Sequence, residues 1–324
     1  MQNVGWLLLA ILAAYGCAVA APLLRYQIGG RVGAIVGWSL MPIVLVCPLL
    51  IPSANVGLRA VSAFASGDIT FKMVDYFRQW GNVKRSVVLR NYYLFLIPFP
   101  VLSAVYPDHK RRLPRPESPW PQVLRLFGGI VGCTVAVLTV RYLSGLSLMQ
   151  SSFALNHAVV LLAFVLAIES LARALCGLER LAGFDTTPLI RNAYLSRTVS
   201  EFWRRYNYRI HDWHYRNIFQ VTGGRRSPVR SMLLVFLFSG LFHEAMFALA
   251  TSRLTGYQFA FFTIQGPAAL VSRRLERLAK RGGIVGKITA HGATIIFMAV
   301  TSVLFFNGVS KIFPFIYASQ SPLP

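Results

Sequence analysis

The 324 residues are 55% apolar or aromatic and only 14% charged, with a positive mean hydropathy, which excludes a soluble globular domain and a disordered chain. Lys and Arg outnumber Asp and Glu by 33 to 11. The excess is gathered in a few connections, a pattern of membrane topology rather than of nucleic-acid binding, so the partner implied is a lipid bilayer and no nucleic acid. The composition describes an all-α polytopic membrane protein, read as a single domain over residues 1–324.

Apolar runs long enough to cross a hydrocarbon core of roughly 30 Å extend from Val4 to Leu24, Val32 to Ile51, Val87 to Tyr106, Val123 to Tyr142, Leu155 to Cys176, Met232 to Ala250, Tyr257 to Val271 and Ile288 to Phe306. About eight transmembrane helices are therefore expected. The first run has no basic leader region and is followed by Arg25 and Arg31 rather than by a small-residue cleavage site, so it is expected to remain as a helix. Pro42, Pro48 and Pro52 fall in the second run and Pro98 and Pro100 in the third, where breaks or kinks are expected.

The basic connections 107–121, 173–230 and 273–287 are separated by pairs of spans and can share one side, which the positive-inside tendency makes cytoplasmic. Arg59 to Arg90 does not fit strict alternation, because Lys72, Arg78, Lys84 and Arg85 would fall outside. One early segment is therefore expected to be re-entrant, broken or interfacial.

Between residues 180 and 250 the pattern changes. Thr198 and Glu201 have capping-box spacing and Gly223-Gly224 offers a stop, which predicts a helix from near Thr198 to before Gly223. On that helix Trp203, Asn207, Ile210 and His214 share one face, and Arg205, Arg209, Asp212 and Arg216 another. It is either an interfacial helix whose arginines meet lipid headgroups, or a site where the arginines receive a phosphorylated ligand at the membrane surface while Asn207 points into a tunnel.

His243 follows Ser231 by twelve residues, or roughly 18 Å along a helix, which puts it near the membrane midplane. Ser239 and Gly240 lie four and three residues earlier on the same face and leave room for a neighbouring helix or a substrate. The imidazole can be an interhelical hydrogen-bonding group or a base. Glu244 beside it favours function, since two ionisable groups are costly in one span.

Ser200-Glu-Phe-Trp-Arg-Arg-Tyr-Asn207 followed by Ser239-Gly-Leu-Phe-His-Glu244 resembles the paired motifs of the membrane-bound O-acyltransferase superfamily, specifically its wax synthase-like branch. Phe71 to Asp75 and Gly183 to Pro188 are similar to shorter segments of that branch, whereas Tyr206 stands where a tryptophan is commoner. The resemblance implies interfacial or re-entrant helices packed with the spans around a central tunnel, and acyl transfer from acyl-CoA to the hydroxyl of a lipophilic alcohol. In that reading His243 is the general base and Asn207 its polar partner. Arg204, Arg205 and Arg209 take the CoA phosphates, and Trp203, Ser239, Gly240 and Glu244 contact substrate. It implies no cofactor beyond acyl-CoA as co-substrate and no metal.

The acceptor stays open between a fatty alcohol, diacylglycerol, a sterol or terpenoid, and a polyketide or sugar hydroxyl. A transporter using His243 and Glu244 as a proton relay is the alternative from another class, although no internal repeat supports it. Six histidines are too few for the histidine boxes of membrane desaturases, and isolated aspartates do not suit magnesium-diphosphate chemistry. Cys17, Cys47, Cys133 and Cys176 read as packing residues. His157 and His291 read as satisfied structural histidines that also lie where a cavity could be lined. The location expected is the plasma or inner membrane in a bacterium and the endoplasmic reticulum in a eukaryote.

Overall fold

A computed structural model describes residues 2–78, 89, 92–93, 96, 118–183 and 189–317. Among these the chain is helical without strands, and six helices are long and apolar enough to cross a membrane. They run Asn3–Ile28, Gly30–Leu50, Trp120–Leu143, Phe153–Leu181, Pro228–Thr251 and Gly283–Ile312. The protein is thus an integral, multi-pass membrane protein. The expected third span, Val87 to Tyr106, lies almost wholly outside the described residues. The expected Tyr257–Val271 span forms a helix, Tyr257–Arg281, but its buried glutamines and basic end keep it out of the six.

The described residues divide into two compact units. In the unit formed by residues 1–111 and 244–255, α1 (Gln2–Ile28) turns into α2 (Gly30–Val46) at Gly29 and Gly30, both at positive φ. A Cβ on Gly33 would stand 2.6 Å from the Arg25 carbonyl oxygen, so the two helices meet at glycine. On α1 the fully buried side is a row of small residues, Ala10, Ala14, Ala18 and Ala21, while Leu8, Leu9 and Leu12 are exposed. This is the arrangement expected in lipid, where burial of large side chains has no advantage over the hydrocarbon and close backbone approach does. Pro42 lies within α2, and the helix gives way to a 3-10 turn at Cys47–Leu50.

Helix α3 (Val56–Arg78) has no counterpart among the apolar runs, because Arg59, Asp68, Lys72 and Asp75 interrupt it. All four are buried, and Lys72 Nζ lies 2.9 Å from Asp68 one turn away. A helix with opposite charges matched inside can be buried without appearing apolar. Over its described part, the segment after Arg59 is this buried helix.

In the other unit, α4 (Trp120–Leu143) and α6 (Phe153–Leu181) pack along Gly129, Gly132, Ser170, Ala174 and Gly177, joined by the short α5 (Ser147–Ser151). His157, on α6, has Nδ1 2.7 Å from the Tyr317 hydroxyl and Nε2 2.9 Å from the Ala299 carbonyl. Since the carbonyl can only accept, Nε2 carries the proton and Tyr317 donates to Nδ1. Both nitrogens are satisfied, which is the structural reading of this histidine.

Two short helices, α7 (Val199–Tyr206) and α8 (Tyr208–His214), precede α9 (Pro228–Thr251), whose residues to His243 belong to this unit. Then α10 (Tyr257–Arg281) and α11 (Gly283–Ile312) pair around Gly282 and Gly283, the second at positive φ. Residues 184–188, which hold most of the Gly183–Pro188 segment, lie outside the described residues.

Candidate active site

The helix predicted from Thr198 to Gly223 starts where expected. The Thr198 hydroxyl accepts from the Glu201 N–H at 3.1 Å, and the Glu201 carboxylate accepts from the Arg197 N–H at 2.9 Å, one residue before the cap. It does not continue as one helix. Asn207 adopts φ −143° and ψ 85°, which ends α7 and starts α8, and a π turn follows at Tyr215–Phe219.

The break rotates α8 relative to α7, so the shared faces drawn from unbroken periodicity do not hold. Arg209 is the clearest correction. Instead of joining Arg205 on an outer face, it is buried, and both its terminal nitrogens bond the Glu179 carboxylate at 2.7 and 2.6 Å. Of the other arginines, Arg205 pairs with Glu201 at 2.6 Å, and Arg204 is exposed.

Asn207 itself caps α8: its Oδ1 accepts from the Ile210 N–H at 3.1 Å. With the oxygen so engaged, the NH₂ group is the part of the amide left to donate.

On α9, the His243 Nδ1 lies 2.8 Å from the Ser239 carbonyl oxygen. A carbonyl accepts only, so the proton sits on Nδ1 and Nε2 presents a lone pair. Phe262 of α10 stacks on the imidazole with ring centroids 4.1 Å apart. Ser239 thus acts on the histidine through its backbone. At Gly240 a Cβ would lie 3.1 Å from the Phe259 carbonyl oxygen, so the room beside this glycine is filled by α10 rather than left to substrate. The Glu244 carboxylate accepts from the Thr255 N–H at 2.8 Å, which engages one of its oxygens in tying the helix end to the following turn.

Trp203 packs against Phe236, Phe261 and Phe262, the last being the ring that stacks on His243. Its indole N–H donates to Gln265 Oε1 at 3.2 Å, and Gln265 donates to the Thr301 hydroxyl at 3.1 Å. This chain links α7, α10 and α11, and Gln265 is fully buried. Sequence reasoning passed over Gln265. The signal was present in Gln258 and Gln265, two uncharged polar residues seven apart in an apolar stretch.

His214 is buried on α8 and packs edge-on to Phe238 of α9. Burial, with His243 and His211 nearby, pushes it from its ordinary 6.5 down to about 3. The folded form therefore holds it neutral while the unfolded chain takes up a proton below about 6.5. Its contribution to stability is complete above that pH and is lost progressively as the pH falls toward 3. His214→Gln is expected to reduce the fall of the unfolding midpoint between pH 6.5 and 4 in detergent, and an undiminished pH slope would assign that fall elsewhere.

His291 resembles His157 in being engaged, with Nδ1 2.8 Å from the Ser196 carbonyl. Among the described residues no three His, Cys, Asp or Glu side chains come together as a metal site. An open groove of about 560 Å³ lies at the start of α9 between Ser227 and Leu234, and none of the residues discussed above lines it.

The model of the MBOAT, membrane-bound O-acyltransferase family matches residues 132–301, just over half of the chain and a region that contains every residue of this site. Among curated proteins the chain is similar to diacylglycerol O-acyltransferase 1C of Glycine max, 28% identical over 112 residues, 34% of this chain and 22% of that protein. It is also similar to the probable alginate O-acetylase AlgI of Pseudomonas putida, 31% identical over 75 residues, 22% of this chain and 16% of that protein. The matches thus span about a fifth of these relatives' own length. The family match, over residues that fold into a polytopic helical membrane protein, establishes that the chain belongs to the membrane-bound O-acyltransferase family.

Proposed function

We propose that this protein transfers an acyl group from acyl-CoA to the hydroxyl of a lipophilic alcohol, as a wax synthase-like member of its family. The observation that carries the reading is the orientation of His243: with Nδ1–H committed to the Ser239 carbonyl, Nε2 is the nitrogen able to take a proton.

In the proposed reaction Nε2 removes the proton from the acceptor hydroxyl as its oxygen attacks the thioester carbonyl carbon. A C–O bond forms and the carbonyl oxygen gains negative charge, which the Asn207 NH₂ group is suited to receive because its Oδ1 is occupied by the Ile210 N–H. Collapse breaks the C–S bond, and the CoA sulfur leaves with the proton held by the imidazolium. Atoms and charge balance without a metal or redox partner.

Arg204 and Arg205 are the groups proposed to receive the CoA phosphates; Arg204 is the more exposed, and Arg205 is already shared with Glu201. The aromatic groups around His243 and Trp203 suit an apolar acyl chain and acceptor. Trp203 supports the site through Phe262 and Gln265.

The relatives' names include diacylglycerol in one case and alginate in another, so a second acceptor reading, diacylglycerol, is carried by the soybean match. Purified protein supplied with a long-chain acyl-CoA and a panel of fatty alcohol, diacylglycerol, sterol and sugar acceptors is expected to release CoA fastest with a fatty alcohol. Release only with diacylglycerol replaces the wax synthase-like reading, and no acceptor-dependent release from any acyl-CoA sinks the proposed reaction.

A further inference from the structure

Asn207 is a single extended residue between two helices of eight and seven residues, each too short to be stable by itself. Something outside them must hold it. Four contacts do so, and all lie on the residues immediately around the break.

The Arg205 carbonyl accepts from the Arg191 N–H at 3.0 Å, and the Tyr208 N–H donates to the Leu189 carbonyl at 2.8 Å. The Arg191 guanidinium also lies over the Tyr208 ring, 3.7 Å from its centroid. Deepest is Arg209, 6% exposed, whose two terminal nitrogens grip both oxygens of Glu179 at 2.7 and 2.6 Å. Glu179, 8% exposed, stands two residues before the end of the 29-residue helix α6.

We propose that the buried Glu179–Arg209 pair is a positioning device for the Asn207 amide. This rests on the acyl-transfer reading above and adds to it a role for two residues outside the reacting groups. A bidentate guanidinium–carboxylate pair fixes orientation as well as distance, which a single-point lysine or an apolar contact does not. Anchored to a long helix two residues from Asn207, it sets where the amide donor points. Arg209 consequently does not receive CoA phosphate, and its charge is balanced within the fold.

The test is a double-mutant cycle in the purified full-length protein, measuring kcat and KM for acyl-CoA in Arg209→Lys, Asn207→Ala and the pair. Arg209→Lys is expected to lower kcat by about 10- to 100-fold, the scale of a misplaced catalytic group, while KM for acyl-CoA stays within about twofold. In the Asn207→Ala background the same change is expected to cost less than about twofold further.

Equal losses in both backgrounds overturn the inference, because Arg209 then does not act through Asn207. A raised KM with kcat retained overturns it as well and makes Arg209 a phosphate receiver. An Asn207→Ala protein with undiminished kcat removes the role of Asn207 itself, a failure of the acyl-transfer reading that is distinguishable from the other two. Should Arg209→Lys fail to fold, Arg191→Ala, which removes only the exposed cation–π brace on Tyr208, takes its place. It is expected to lower kcat in the wild-type background and to cost less than about twofold in the Asn207→Ala background, and an equal fall in both backgrounds overturns positioning.

Discussion

Replacing His243 with alanine is expected to lower kcat for acyl transfer by about 10²- to 10⁴-fold, the usual contribution of a positioned general base. The substitution removes two things together: Nε2, the base of the proposed reaction, and the ring that stacks on Phe262 at 4.1 Å. His243→Gln separates them. Glutamine can fill much of the space and hydrogen-bond, but it takes up no proton at neutral pH. Both variants should therefore lose activity alike, while the glutamine variant stays closer to wild type in its unfolding midpoint. CoA release under saturating acyl-CoA, with folding checked by size-exclusion chromatography in detergent, gives the comparison. Activity restored by glutamine would reduce His243 to a packing and hydrogen-bonding residue.

The largest effect expected on folding lies away from the site, at the contact between α4 and α6. A Cβ on Gly129 would be driven into the Ser170 carbonyl oxygen and stand 2.6 Å from the Ala174 backbone nitrogen. Backbone atoms cannot rotate aside as a side chain can, so the helices would have to separate. Gly129→Val is expected to destabilise the protein by about 1–3 kcal/mol or more, the range for overpacking a tight contact. The adjacent Gly128 has nothing within 4 Å of its would-be Cβ and is exposed, so Gly128→Val should stay within about 0.5 kcal/mol. Thermal unfolding in one detergent reads both, and equal shifts would mean that helix propensity rather than the close approach decides the outcome.

Gly128 and Gly129 are indistinguishable as a pair of letters. Which of them meets the neighbouring helix depends on the rotation of α4, set by packing over its whole length. The same limit appears at Asn207. Periodicity assumes an unbroken helix, and no proline or glycine between Thr198 and His214 signals a stop. The break is supported by partners distant in sequence, Leu189, Arg191 and Glu179, so it was visible only once those were in place. Arg209 was misread for this reason: one extended residue turned it from an outer face to a buried one.

What the chain specifies locally is read correctly. The six helices that combine length with apolar composition coincide with apolar runs, because in hydrocarbon the backbone must satisfy itself within each segment. The Thr198 cap is likewise a contact over three residues. His243 stands out as a costly group in an apolar run and has its Nδ1 partner one turn away at Ser239. Helix α3 escaped because its charged residues are buried, Lys72 and Asp68 as a pair, and composition counts them as polar.

The sequence by itself thus determined the membrane class, most of the spans and the two motifs that mark the family, since each depends on residues contiguous in the chain. The tertiary structure alone decided which nitrogen of the Trp203–Gln265–Thr301 chain meets which oxygen and that α10 fills the space at Gly240. It also decided that Arg209 is buried and paired with Glu179. Those outcomes depend on how far apart helices lie and how they are rotated, and these are properties of the packed bundle rather than of any one segment.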